Sequence, residues 1–325
     1  MRALSALLLV PALACAGGSN YGVEPGQREI SGKITEWSVP TPKFPHDPAV
    51  APDGSIFLTE MFADRIARFD PKAQAFKEWE LPSGAHPHGL VVAKDGHVFY
   101  AGNGNGTIGE LDPASGKLIE HLTPSRGGGP HTPVIDARGD IWFTGQGGGY
   151  LGKLDRASGK IAEYPMPGGP YGLAIDKQGR IWVCRMGANA LGVYDPRTGK
   201  TEELRTGPGT RPRRMAAAPD GSIWVTYYGN GKLAKVDPQA MKVVKEYPMP
   251  AGPGAGPYAV TVDAAGRVWA NEIDTDTVAM LEPKTGQFRV FKLPSGGAGI
   301  RKAIVDGQGR LWYLGSHNGK LGVIE

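Results

Sequence analysis

Three histidines, two tyrosines and two arginines recur in one register along this chain. His46, His88, His131, Tyr171, Arg213, Tyr258 and Arg301 are separated by 42, 43, 40, 42, 45 and 43 residues. All but Arg301 directly follow a proline, which fixes the angle at which the chain enters the next segment. A neutral imidazole can accept a proton or bind a metal near neutral pH. Guanidinium groups clamp a carboxylate or a developing oxyanion. If these side chains meet, the chain sets proton acceptors opposite an anion clamp. His88 and His131 are then the candidate bases, and Tyr171, Arg185, Arg213, Tyr258 and Arg301 the candidate substrate-binding residues. His46, His86 and Glu60 are candidate metal ligands, and an imidazole-rich set favours Zn²⁺ or a similar metal.

Something must bring residues so far apart in sequence together. Eight residues after each of the seven stands a glycine: Gly54, Gly96, Gly139, Gly179, Gly221, Gly266 and Gly309. Two and three residues beyond each glycine come an aliphatic and an aromatic residue, from Ile56 and Phe57 to Leu311 and Trp312. A period of about 40–45 residues with short strands and Gly-rich turns marks the blades of a β-propeller. The fold class is therefore all-β, a seven-bladed β-propeller. The seven register residues should open the innermost strands and ring the mouth of the central channel. Six residues past each glycine, Glu60, Gly102, Gly145, Arg185, Tyr227, Glu272 and Gly315 should form a second rim. There Gly102 and Gly145 would clear room for a substrate.

The repeat also predicts how the ring closes. Residues 31–37 match the outer strand of a blade but precede the first marker glycine, and the last repeat ends at residues 321–325, a third strand with no fourth after it. The N-terminal copy should supply that missing strand, which pairs the chain ends and removes an exposed edge. The tryptophans of the second strands, such as Trp182, should be scaffold packed between blades.

Met1, Arg2 and the apolar run to Ala14 read as an export signal ending in a small-x-small cleavage site, too short to span a bilayer. The domain reading is residues 1–14 signal peptide, 15–30 linker and 31–325 propeller. Cys15 follows the cleavage site and is a candidate lipid anchor. Cys184, the other cysteine, falls on a strand, so no internal disulfide is expected. The expectation is a periplasmic or secreted monomer, or a lipoprotein. Net charge is +4 with the charges scattered, which gives no nucleic-acid footprint. No Ser-His-Asp signature, P-loop, CxxC or HExxH motif is present.

The repeat unit carries a resemblance. Ile141 to Thr144, Leu151 to Leu154 and Ser158 to Pro165 resemble the repeat of the virginiamycin B lyase (streptogramin lyase) family, and the similarity runs over residues 32–325. The resemblance implies a carbon–oxygen lyase that opens a cyclic depsipeptide by elimination. A histidine takes the proton α to the ester carbonyl, and a bound Mg²⁺ stabilises the oxyanion. It implies Pro-His pairs at the inner strands of neighbouring blades, matched by Pro45-His46, Pro87-His88 and Pro130-His131. It also implies a Glu two residues before the second His and another ending that blade's second strand. With His88 as base those positions hold His86 and Gly102; with His131, Gly129 and Gly145; with His46, Phe44 and Glu60.

Three functions stay open on the residues: a lyase acting on a small ester, lactone or other activated carbonyl, a non-catalytic binding propeller for an anionic ligand or a protein, and a Ca²⁺-dependent lactonase of the gluconolactonase type. The last needs acidic ligands, for which Glu60 and Glu272 are the candidates.

Overall fold

A computed structural model describes residues 21–325. The expected signal peptide and Cys15 lie outside the described residues. Seven four-stranded antiparallel sheets follow one another along the chain, and among the described residues there is no α-helix, only two short 3-10 turns. Among the described residues no helix is long and apolar enough to cross a membrane.

The inner strands are Pro45–Val50, Pro87–Val92, Pro130–Ile135, Pro170–Ile175, Pro212–Ala217, Pro257–Val262 and Ile300–Val305. The seventh sheet runs Ile34–Ser38, Lys320–Ile324, Leu311–Gly315, Ile300–Val305 across its width. Ile34 thus pairs with Ile324 and Trp37 with Leu321, closing the ring as the repeat predicts.

The marker motif has a local cause. In four blades an aspartate three residues before the marker glycine accepts the backbone N–H two and four residues on and the indole Nε1–H six residues on. Asp176, for example, holds Gln178, Arg180 and Trp182. Asp136, Asp263 and Asp306 hold Trp142, Trp269 and Trp312 in the same way. Each indole is buried with its N–H satisfied, a requirement for a tryptophan in a core. The tryptophans are scaffold between neighbouring blades, and the apolar clusters accordingly span adjacent sheets.

Residues 21–30, read as linker, lie against the propeller's underside. Gly26 donates to Asp306 and accepts from Ala264 at 2.8 and 3.1 Å, and Arg267 and Arg289 donate to the carbonyls of Arg28 and Ile30. Tyr21 packs against three apolar clusters of blades one to four and seven, and the Lys302 ammonium sits 4.6 Å from its ring. Tyr21 therefore lies across the base of the channel, on the side opposite the register residues.

Candidate functional site

Each inner strand begins with a break in register against its neighbour. In blade one the pairing shifts between Pro45 and Pro48, and the equivalent shift recurs in all seven blades. A bulge of this kind re-aims side chains. Here it turns the register residues inward. A hydroxyl or amide from the second strand then pins the next blade. Thr59 donates to the His88 carbonyl at 2.8 Å, Thr144 to Tyr171 at 2.7 Å, Thr226 to Tyr258 at 2.9 Å, and Asn271 to Ile300 at 2.9 Å.

The register residues meet. The rings of His46 and His88 lie 3.7 Å apart between centroids, those of His88 and His131 3.7 Å, and those of His131 and Tyr171 4.1 Å. The Tyr171 and Tyr258 hydroxyls hydrogen-bond to each other. The Arg213 guanidinium lies 4.1 Å from the Tyr258 ring centre and 4.7 Å from that of Tyr171. Arg301 lies over Tyr258 and Phe44, and Phe44 returns to His46 at 5.9 Å. Blades one to three contribute a column of imidazoles, and blades four to seven contribute phenols and guanidiniums.

A second layer lies directly below, built from the residues that follow the register residues. Asp47 accepts from the His46 ring at 2.8 Å and from Arg214 at 3.2 Å, with the Lys302 ammonium at 3.6 Å. Arg214 also donates to Thr132 at 2.9 Å, and Thr132 in turn meets the His131 ring at 2.8 Å. Asp47, Arg214 and Lys302 are all buried. Strand alternation hides them from sequence reasoning, because a regular strand would send residue 47 away from residue 46. Charged residues after the register residue in three of the seven repeats, Asp47, Arg214 and Lys302, were the available signal.

Burial sets the protonation of this stack. It lowers His46 to about 4 against the pull of Asp47, and together with neighbouring charges it lowers His88 and His131 well below the usual histidine value. The imidazoles are neutral. His131 is fastened to Thr132 and His46 to Asp47, whereas among the described residues His88 has no hydrogen bond at its ring, and its Nδ1 is buried without a partner. Burial alone would raise Asp47, but Arg214, Lys302 and the His46 bond outweigh it and hold the carboxylate far below its usual range. Burial lowers Lys302 to about 8. Along the axis, Arg213, Arg214, Arg301 and Lys302 face a single carboxylate among the described residues, Asp47.

The second predicted rim is not a rim. Arg185 turns outward, where its guanidinium pairs with Glu203 and the Pro167 carbonyl, and so does not join the substrate-binding set. Glu60 faces Glu78 on its own outer strand. Burial, then Glu78, pushes its carboxyl up to about 8, so it is neutral at pH 7. Glu272 is engaged by the Ala251 backbone. Gly145 makes room for Tyr150, whose ring a Cβ would meet at 2.2 Å, and a Cβ on Gly102 would meet Thr107 and Asn105. Neither glycine clears space for a ligand.

The true rim lies two residues before the register residues. All seven of those positions have positive φ, and three are not glycine: Phe44, His86 and Arg211. A left-handed backbone strains a side-chain-bearing residue by about 1 kcal/mol or more, and such outliers gather at functional sites. Phe44 stacks on Phe62 at 5.2 Å, His86 meets Phe62 edge-on at 5.9 Å, and Arg211 covers Tyr228. His317 joins them, 3.3 Å from Arg301.

These donors do not fit Mg²⁺. The positions where the resemblance implies carboxylates hold Phe44, His86 or glycine, and Glu60 is neutral and faces away. His46, Asp47 and His88 do place ligand atoms within 4.8 Å of one another. Asp47, however, is already claimed by two buried cations, and a divalent ion would add charge to an axis with a cation excess.

Among solved structures, the chain is similar to a streptogramin B lyase at 25% identity and a TM-score of 0.83, covering 90% of this chain and 97% of that one. A virginiamycin B lyase from Staphylococcus aureus superposes with a TM-score of 0.83 at 22% identity, covering 90% and 99% of the two chains. A catalytically inactive form of that enzyme with quinupristin superposes with a TM-score of 0.82 at 23% identity, covering 90% and 98%. The latter two share the fold. No curated protein sequence matches the chain. The virginiamycin B lyase family model matches twice, over residues 24–168 and 83–325, because the repeat lets one pattern fit in two registers. Those matches together cover the propeller from end to end, and the chain belongs to the virginiamycin B lyase family.

Proposed function

We propose that this propeller is an exported carbon–oxygen lyase that opens a small cyclic ester or lactone by elimination in the cup at the channel mouth. The observation that carries the reading is that one ring of side chains holds both a neutral imidazole with no hydrogen bond at its ring among the described residues, His88, and two guanidiniums without a carboxylate partner, Arg213 and Arg301. His88 takes a proton from the carbon next to the C–O carbon on the alcohol side of the ester, β to the ester oxygen. The released electron pair forms the new carbon–carbon double bond as the C–O bond breaks. Arg213 and Arg301 hold first the polarised oxygen and then the departing carboxylate. His46 and His131, fixed by Asp47 and Thr132, clamp His88 from both sides and keep its ring oriented.

A screen of cyclic depsipeptides and lactones tests this. Turnover should persist in a chelator, fall at least about a hundredfold in His88→Ala, and fall with Arg213→Gln. Turnover that His88→Ala leaves unchanged would end the proposal. A non-catalytic binding propeller is the second reading, favoured by the missing carboxylates. It predicts tight anion binding, lost with Arg213→Gln, and no turnover in any variant.

A further inference from the structure

We propose that Arg213, Arg301 and Tyr258 form a seat for a carboxylate that enters together with one proton. The inference rests on the arginine pair holding an oxyanion, as above, and on no other part of the lyase reading.

Two guanidiniums that lack a carboxylate partner stand at the mouth. Among the described residues, Arg213 donates to the Tyr171 hydroxyl at 3.3 Å and Arg301 to the Tyr258 hydroxyl at 3.3 Å. The Nε of each is buried without a hydrogen-bond partner. Leaving such donors unpaired is costly. The only oxygens they reach belong to the two phenols, which are bonded to each other.

Tyr258 is surrounded. Tyr171 faces it from blade four, Arg213, Arg214 and Tyr228 from blade five, and Arg301 from blade seven. Burial alone would favour the neutral phenol. Arg213, Arg214 and Arg301 outweigh burial and lower the Tyr258 pKa, whereas that of Tyr171 is raised. Of the two phenols Tyr258 is therefore the one that gives up its proton first, and at alkaline pH its phenolate is the internal counter-ion of the arginines.

A ligand carboxylate changes the balance. Its two oxygens satisfy the guanidiniums better than one phenolate oxygen does. Two anions in one buried seat repel, so Tyr258 takes a proton from solvent as the carboxylate arrives. The seat gains one negative and one positive charge, and its net charge is unchanged. Phe44, Phe62 and Tyr228 border it, which suits a carboxylate carried on an apolar, ring-bearing body.

Benzoate is the probe. Its binding to the full chain is measured calorimetrically at alkaline pH in two buffers of different protonation enthalpy, alongside the ultraviolet absorbance of phenolate. The expected result is uptake of roughly one proton per benzoate, with loss of phenolate absorbance. Tyr258→Phe should bind benzoate without proton uptake. Arg213→Gln and Arg301→Gln should each weaken binding at least about tenfold. Absence of benzoate binding, or binding without proton uptake in the unaltered chain, overturns the inference. So does a pH titration of phenolate that is identical in the chain and in Tyr258→Phe. Benzoate has no ester to cleave, so failure of the lyase reading leaves this test standing. Elimination by a protein that does not take benzoate would sink the seat and spare the lyase.

Discussion

Arg214 on the fifth blade reaches across the channel to Asp47 on the first, Nη2 to Oδ1 at 3.2 Å, and both side chains are buried. The contact ties residues 167 positions apart. It makes one carboxylate the shared partner of Arg214, Lys302 and the His46 ring.

Removing that carboxylate strands two cations in the channel. Asp47→Asn should destabilise the fold by about 3–5 kcal/mol, visible as a lower midpoint in denaturant. A loss under about 1 kcal/mol would mean that water reaches Arg214 and Lys302 from below.

The imidazole column makes the fold acid-sensitive. Because the folded pKa of His46 is about 4 and those of His88 and His131 are also depressed, the unfolded chain binds protons below pH 6.5 that the folded chain does not. Stability should therefore fall as pH drops from 6.5 towards 4, by up to ~1.4 kcal/mol per pH unit for each histidine. Glu60, raised to about 8, opposes this with one proton between pH 4.5 and 8. Combining His46→Gln, His88→Gln and His131→Gln should flatten the slope of stability against pH. An unchanged slope contradicts the burial of the stack.

The stopper at the base is separable from the site. Tyr21→Ala should cost about 2 kcal/mol and open the channel from below. Cys184, fully buried, sits close enough to Tyr21 to influence its titration. In a Cys15→Ser background, a thiol reagent should label Cys184 at least about tenfold faster once Tyr21 is removed. Equal rates would place the seal elsewhere.

At the rim, strain is retained for a side chain. Arg211→Gly and Phe44→Gly remove a left-handed non-glycine residue and should leave stability unchanged or raise it by up to about 1 kcal/mol. Both should weaken ligand binding. A clear loss of stability would show that these side chains serve the scaffold.

Much of this was legible in the residues. The spacing of the marker glycines gave the seven blades, and the orphan outer strand at residues 31–37 gave the ring closure. The register eight residues before each glycine found His46, His88 and His131, which do meet. Sequence reasoning lost the second layer because each inner strand opens with a bulge, where residues 46 and 47 both serve the channel instead of alternating. It misplaced Arg185 and Glu60 for the opposite reason: the second strands alternate faithfully, so their last side chains face the gaps between sheets. Of the three strained rim residues the sequence singled out only His86, as a candidate metal ligand; the glycines at the equivalent positions of the other four repeats, Gly129, Gly169, Gly256 and Gly299, were the sign that Phe44 and Arg211 would be left-handed.

The central claim is elimination in a cup formed by His88, Arg213 and Arg301, and the mass of the product tests it most directly. Opening a cyclic ester by elimination gives a linear product of unchanged mass that carries a new double bond. Hydrolysis adds the elements of water and takes up heavy oxygen from labelled solvent. The account predicts an isomeric, unlabelled, unsaturated product from the unaltered chain and none from His88→Ala. A labelled hydrolysis product, or a linear isomer formed equally well without His88, would contradict it.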